Sequence, residues 1–214
     1  MLRMLDLFSG LGGASEAMLQ SSSWEVLRIE NNPLLHNVPE TTISCVHDFR
    51  DYMKKQIEEC GQIITKPLTL LWASIPCTYF STAYSSPRSV CERGGGRIEN
   101  DQGFQSIMEL VKTTKELIEL LKPKYWIIEN VHGSRKYLEP YFGKPKKFGS
   151  FLLYGKFPAI NVDQGLQNFF DNYKKPDAHS GNPLRANIRA KVPIELSNAV
   201  CQSIEGQKTL DYWF

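Results

Sequence analysis

Residues Leu68 to Ala73 form a short apolar run that stops at Pro76-Cys77. Such a run reads as a buried strand. A cysteine at the exit of a buried strand stands where open α/β sheets place their chemistry. Cys77 is therefore a candidate nucleophile. The competing reading is one more small buried hydrophobe. The rest of the chain decides between them.

The 214 residues suffice for one α/β domain with a real core. A net charge of +2 announces no global positive field, so any nucleic-acid surface has to be local. Five cysteines (Cys45, Cys60, Cys77, Cys91 and Cys201) are odd in number and lack metal-ligand spacing. Without a CxxC pair or a signal-peptide pattern, a reducing compartment is expected and no metal site. The four other cysteines read as packing or surface. No apolar run is long enough to span a bilayer, so no membrane contact is expected.

Met4 to Phe8 reads as a first strand. It leads through Ser9-Gly10-Leu11-Gly12-Gly13 into a helical stretch, Ala14 to Gln20. Strand, glycine turn and helix make the first unit of a nucleotide-type α/β fold. The glycines let backbone approach a ligand, and the helix start offers free N–H groups. A second strand, Trp24 to Ile29, ends in Glu30-Asn31, and this acidic residue is placed to accept hydrogen bonds from ribose hydroxyls. A weaker strand, Thr42 to Val46, leads to Asp48-Phe49. Asp48 either accepts from an adenine amino group or caps the next helix.

After Cys77, residues 82–97 are polar and glycine-rich and hold Arg88, Arg93 and Arg97. They read as a loop that closes over a site, its arginines reaching phosphates. Phe104 to Leu121 is an amphipathic helix stopped by Pro123. Tyr125 to Ile128 is a buried strand ending in Glu129-Asn130-Val131, where an apolar wall would raise the Glu129 pKa. Residues 135–156 interleave lysines with aromatics, which suits nucleic acid or a solvated face. Phe151 to Tyr154 reads as a strand, Pro158 to Arg185 as irregular, and Pro193 to Ile204 as a final helix. Alternating strands and helices predict an α/β fold, one doubly wound and mostly parallel sheet.

Taken together, DLFSGLGG at 6–13, Ile29-Glu30-Asn31, Asp48-Phe49, Pro76-Cys77 followed by Phe80-Ser81, Glu129-Asn130-Val131 and Ser197-Asn198-Ala199-Val200 resemble the DNA (cytosine-5) methyltransferase family in that order. The resemblance implies a Rossmann-like fold and S-adenosylmethionine as cofactor. It places the cofactor at Phe8, Ser9, Gly10, Leu11, Gly12, Gly13, Glu30, Asn31, Asp48, Phe49, Pro76, Asn198 and Val200. It makes Cys77 the nucleophile and Glu129 the residue that grips a flipped cytosine, with Pro76, Asn130 and Val131 beside them. DNA is the implied partner, contacted by Ser81, Arg88, Arg93, Arg97, Lys146, Lys147, Arg185 and Arg189. Two departures stand out. Phe148 and Ser150 occupy positions where the family carries arginines, for which Lys146, Lys147, Arg185 or Arg189 would have to substitute. Only residues 157–188 stand where the family has a large target recognition domain. Transfer to RNA, or an accessory role with weak catalysis, are the alternative functions.

The terminal Gln207, Leu210, Trp213 and Phe214 resemble the peptide that docks on the sliding clamp PCNA. A single helical turn would put the last three on one face. The expected organisation is a catalytic domain over 1–206, with a mobile loop at 82–100, followed by a clamp peptide at 207–214. A monomer is the default. Location follows the host: cytoplasmic in an archaeal or virus-infected cell, nuclear in a eukaryote.

Overall fold

The computed structural model describes residues 1–60, 67–81 and 98–211, with backbone alone at 98 and 208–211. Seven strands form one sheet among these residues: β1 (Leu2–Leu7), β2 (Trp24–Glu30), β3 (Thr41–Ile43), β4 (Leu70–Ser74), β5 (Tyr125–Asn130), β6 (Lys146–Phe148) and β7 (Phe151–Lys156). Their order is β3-β2-β1-β4-β5-β7-β6. The first five run parallel, while β7 and β6 are antiparallel. The fold is the expected Rossmann-like α/β sheet. Chain order reverses between β1 and β4, which opens a crevice at their carboxyl ends.

Helices cover both faces, which explains why the central strands read as continuous apolar runs. Alternate residues go to opposite layers. Met4, Leu70, Trp72 and Ile127 pack toward α1 (Glu16–Gln20) and the last helix. Leu5, Leu7, Leu71, Ala73 and Ile128 pack toward α2 (Val46–Cys60), α3 (Gln102–Leu121) and α4 (Arg135–Phe142). Asp101 caps α3 by accepting from the N–H groups of Gly103 and Phe104. Lys122 ends that helix in the left-handed region, at φ 46°.

Two sequence expectations are corrected. The segment from Pro158 to Arg185 is not irregular throughout. It contains α5 (Gln164–Asn172), capped by Asp163 and held by Phe170, whose ring lies 6.0 Å from that of Phe148. Leu166, Phe169, Phe170 and Tyr173 recur at helical spacing, and their burial outweighs the surrounding polar residues. A further helix, α6 (Arg185–Ala190), follows. The last helix, α7 (Ile194–Asp211), runs past residue 206 without a break, so the peptide expected at 207–214 begins inside it.

Phe148 is buried against Phe170. Phe170→Ala is expected to cost about 3–5 kcal/mol of stability, read by urea unfolding. A loss below about 0.5 kcal/mol, the level of a surface change, would show that α5 does not hold the insert to the core.

Candidate functional site

The turn after β1 is built around a buried cation. Arg28 donates from Nε to Ser15 Oγ (2.8 Å) and through its two amino groups to the carbonyls of Gly12 (2.9 Å) and Pro39 (2.9 Å). Ser15 in turn donates to Asp6 Oδ2 at 2.5 Å. A Cβ at Gly12 would run into the guanidinium, and the φ of +74° favours glycine as well. A Cβ at Gly13 would meet the Val192 carbonyl. Burial pushes the Asp6 carboxyl from the ordinary 3.8 up to about 7, against the Ser15 hydrogen bond and the Arg28 charge.

Glu30, at the end of β2, accepts from the Gly10 N–H with one oxygen and from the Asn32 N–H with the other, each at 2.8 Å. Lone pairs remain on both oxygens for a ligand. Asn32 donates to Asn187 of α6 at 3.4 Å. Phe8, a non-glycine residue at φ 56°, lies in the left-handed region at the turn's start.

Cys77 caps a short 3-10 turn, Thr78–Phe80, after β4. The Phe80 ring stacks on Tyr137 of α4 at 5.5 Å and meets Phe104 of α3 edge-on at 6.3 Å, which fixes the turn. Gly133 approaches the Phe80 carbonyl so closely that no Cβ fits there. Buried Asn130 donates to the Ile75 carbonyl at 2.9 Å and accepts from the Val131 N–H at 2.9 Å. This side chain ties the end of β5 to the loop carrying Cys77.

These strand ends surround a cavity of about 430 Å³, within the range of small-molecule sites. Phe8, Ser9, Gly10, Leu11, Gly13, Glu30 and Asn31 line one part of it, and Pro76, Cys77, Glu129 and Val131 another. Glu129 is the register partner of Ser74 on β4. Burial raises its pKa from 4.5 to about 7, opposed by the Ser74 hydroxyl and the charge of Lys175. Burial also pushes the Cys77 thiol up, and the Glu129 charge adds to this, while Lys175 pulls it down.

Other expected residues lie elsewhere. Gly12 faces Arg28 rather than the cavity. Asp48 and Phe49 are in the first turn of α2 and not at a strand end, because β3 stops at Ile43. Val46 and Cys45 take the cavity wall there, and Phe49 lines a separate groove with Arg3, Tyr52 and Leu121. Asn198 is exposed and Val200 is buried in the core; neither lines the cavity. The same helix contributes Ser197, which donates to the Ala14 carbonyl (2.8 Å) and accepts from the Ala17 N–H (3.1 Å), holding α1 in place. Phe148 belongs to the core and Ser150 to an exposed turn. Lys146 and Lys147 are exposed on β6 outside the cavity, with Lys146 over the Phe157 ring at 4.8 Å. Arg185 donates to the Ala178 carbonyl and Arg189 is exposed. Ser81 closes the 3-10 turn. Arg88, Arg93, Arg97, Trp213 and Phe214 lie outside the described residues, as does the Leu210 side chain. Sequence reasoning missed Cys45, Asn187, Lys175 and Lys191 on the cavity wall. Nothing in local pattern marks them, since long-range packing brings them there.

A glycine turn and an acidic strand end share one cavity with a thiol and a carboxyl at the carboxyl ends of the parallel strands, which defines an α/β domain with a small-molecule-sized site at its crevice. The chain belongs to the C-5 cytosine-specific DNA methylase family, whose profile matches residues 2–139. A protein of Frog virus 3 (isolate Goorha), described as a candidate DNA (cytosine-5)-methyltransferase, is 26% identical over 137 residues, covering 63% of this chain. The chain spans 56% of that relative's length. Among solved structures, a prophage-encoded candidate DNA modification methyltransferase from E. coli aligns over 73% of this chain and 47% of its own, with 17% identity and a TM-score of 0.48. The Entamoeba histolytica methyltransferase EhMeth aligns over 76% and 55%, with 16% identity and a TM-score of 0.44.

Methylases of this family use S-adenosylmethionine, and the cavity fits it. Ser9 Oγ is buried in the cavity wall without a hydrogen-bond partner among the described residues. A Cβ at Gly10 would project toward Asn187, into space a ligand can take.

Asp6 and Glu129 both hold protons more tightly folded than unfolded. Their contribution to stability is fully present below the ordinary carboxylate range and is lost as pH rises through about 7. Asp6→Asn is expected to flatten the decline in unfolding free energy between pH 4.5 and 7.5. A variant curve parallel to the parent's would contradict the raised Asp6 value.

Proposed function

We propose that this chain methylates carbon 5 of cytosine in DNA, with Cys77 as the nucleophile and S-adenosylmethionine as the methyl donor. The observation that carries this is the meeting of Cys77 and Glu129 in the same cavity as the glycine turn and Glu30. Phe8, Ser9, Gly10, Leu11, Glu30, Asn31 and Pro76 hold the cofactor, which when bound supplies an electrophilic methyl group.

Carbon 5 of cytosine is a weak nucleophile until another group adds to carbon 6. The Cys77 thiolate forms that bond, and the former double-bond pair becomes available at carbon 5. Once carbon 5 carries the methyl group, loss of its original proton to water re-forms the double bond and expels the Cys77 thiolate. Glu129 is half neutral near pH 7, so it donates a hydrogen bond to the ring nitrogen and offsets the charge that builds there. The ring has to leave the duplex to reach a thiol on the cavity wall.

Exposed Lys147 and Arg189 offer phosphate contacts. The insert, with α5, the start of α6 and little regular structure besides, supports short or partner-assisted target selection. The pattern of Gln207, Leu210, Trp213 and Phe214 supports recruitment by a sliding clamp, and the helical backbone from Gln207 to Asp211 is compatible with a docking turn.

Labelled methyl transfer to duplex DNA tests the reaction. Cys77→Ser is expected to abolish transfer while cofactor binding persists. Transfer surviving in that variant would remove Cys77 as the nucleophile, and transfer to RNA alone would replace the substrate. With Glu129 required neutral and Cys77 required ionised, the parent rate climbs with pH and levels off near 7, where the gain in thiolate is cancelled by the loss of the neutral carboxyl. Glu129→Gln, slower at neutral pH, is expected to keep climbing through that point, and a variant that levels off at the parent's pH would contradict the role given to the Glu129 proton.

Truncation before Trp213 tests recruitment separately. It is expected to abolish clamp binding in a pull-down and leave cofactor affinity unchanged. Undiminished clamp binding by the truncated chain would refute recruitment by this peptide.

A further inference from the structure

We propose that Lys175 is the charge partner of the reacting pair: its ammonium, carried by the insert to the cavity, favours the Cys77 thiolate and offsets the negative charge that thiolate attack places on the pyrimidine ring. The second half of this statement rests on the function proposed above; the first half does not.

Lys175 lines the same cavity as Cys77 and Glu129, yet it is about a hundred positions from one and about fifty from the other. Its backbone is anchored two residues away. Tyr173 packs on Phe151 of β7 at 5.4 Å and on Phe169 of α5 at 5.4 Å, and Phe151 itself lines the cavity. The helix that sequence reasoning did not foresee is thus what delivers the lysine.

The charge inventory singles it out. Among the described residues, the cavity's charged side chains are Glu30, Glu129, Lys175 and Lys191. Both oxygens of Glu30 are held by backbone N–H groups. Lys191 forms an ion pair with Glu16 at 2.8 Å. Cys77, Glu129 and Lys175 line one cavity, where the Glu129 charge opposes ionisation of the thiol and the Lys175 charge favours the ionised form of both. Among the described residues, the basic side chains named from sequence do not supply this charge. Lys146 sits over Phe157, Arg185 donates to Ala178, and neither lines the cavity. Lys175 is itself exposed, so a substitution there leaves the core intact.

The test reads the thiol directly. Alkylation of Cys77 by iodoacetamide, followed peptide by peptide by mass spectrometry, is measured against pH for the parent, Lys175→Gln and Lys175→Arg, without DNA or cofactor. Lys175→Gln is expected to move the midpoint to higher pH and slow alkylation severalfold at pH 7.5, while Lys175→Arg stays near the parent and all three melt alike. An unchanged midpoint in Lys175→Gln overturns the proposal, as does an equal shift in Lys175→Arg. In methyl transfer, Lys175→Gln is expected to lose on the order of 10- to 100-fold in kcat with little change in the KM for cofactor. A kcat equal to the parent's overturns the second half. If the parent transfers no methyl group but the alkylation shift is present, the functional reading fails and the electrostatic role of Lys175 stands.

Discussion

The site depends on one buried guanidinium. Arg28 is 3% exposed and its three donated hydrogen bonds join β2, the turn after β1, the start of α1 and the Pro39 carbonyl. A buried cation left without such partners costs several kcal/mol, so these contacts act as a set. The set explains why Gly12 carries no side chain and why Ser15 bridges to Asp6. With the turn held from behind, its front edge is free to face the cavity, where Glu30 draws in the Gly10 N–H. The rigid side of the turn is thus the protein side, and the open side is left to the ligand.

Cys77 and Glu129 use a different support. Asn130 staples β5 to the Ile75 carbonyl, and the aromatic cluster of Phe80, Phe104 and Tyr137 pins the turn after Cys77. Two independent braces therefore converge on the crevice between β1 and β4. Burial then acts on both acids in the same sense, keeping Glu129 protonated toward neutrality and the thiol hard to ionise. A neutral carboxyl suits hydrogen-bond donation, whereas a neutral thiol is a poor nucleophile. That conflict is why a cation beside the pair matters.

Much of this was legible residue by residue. Apolar runs marked β1, β2, β4 and β5, because strands buried on both faces have no polar side. The residues just past those runs are the ones that line the cavity, since all parallel strands end on one side of the sheet. Legibility failed where a residue's place depends on distant packing. Phe148 looked like a lost arginine position but fills the space beneath Phe170. Asn198 and Val200 looked like cofactor contacts, while it is Ser197 that works structurally and the segment before α7 that reaches the cavity. The helix α5 had its signal at Leu166, Phe169, Phe170 and Tyr173, hidden by the polar residues between them.

The sequence by itself determined the α/β sheet, the glycine turn and the identities of Cys77, Glu30 and Glu129, because periodicity and strand-end chemistry are local properties. Only the tertiary structure decided which cations stand beside them. A lysine in a polar stretch carries no local signature, and its role exists only once Tyr173 packs on Phe151 and brings Lys175 to the cavity wall. Burial, which sets how tightly Asp6, Cys77 and Glu129 hold their protons, is likewise a property of the assembled fold and not of any segment.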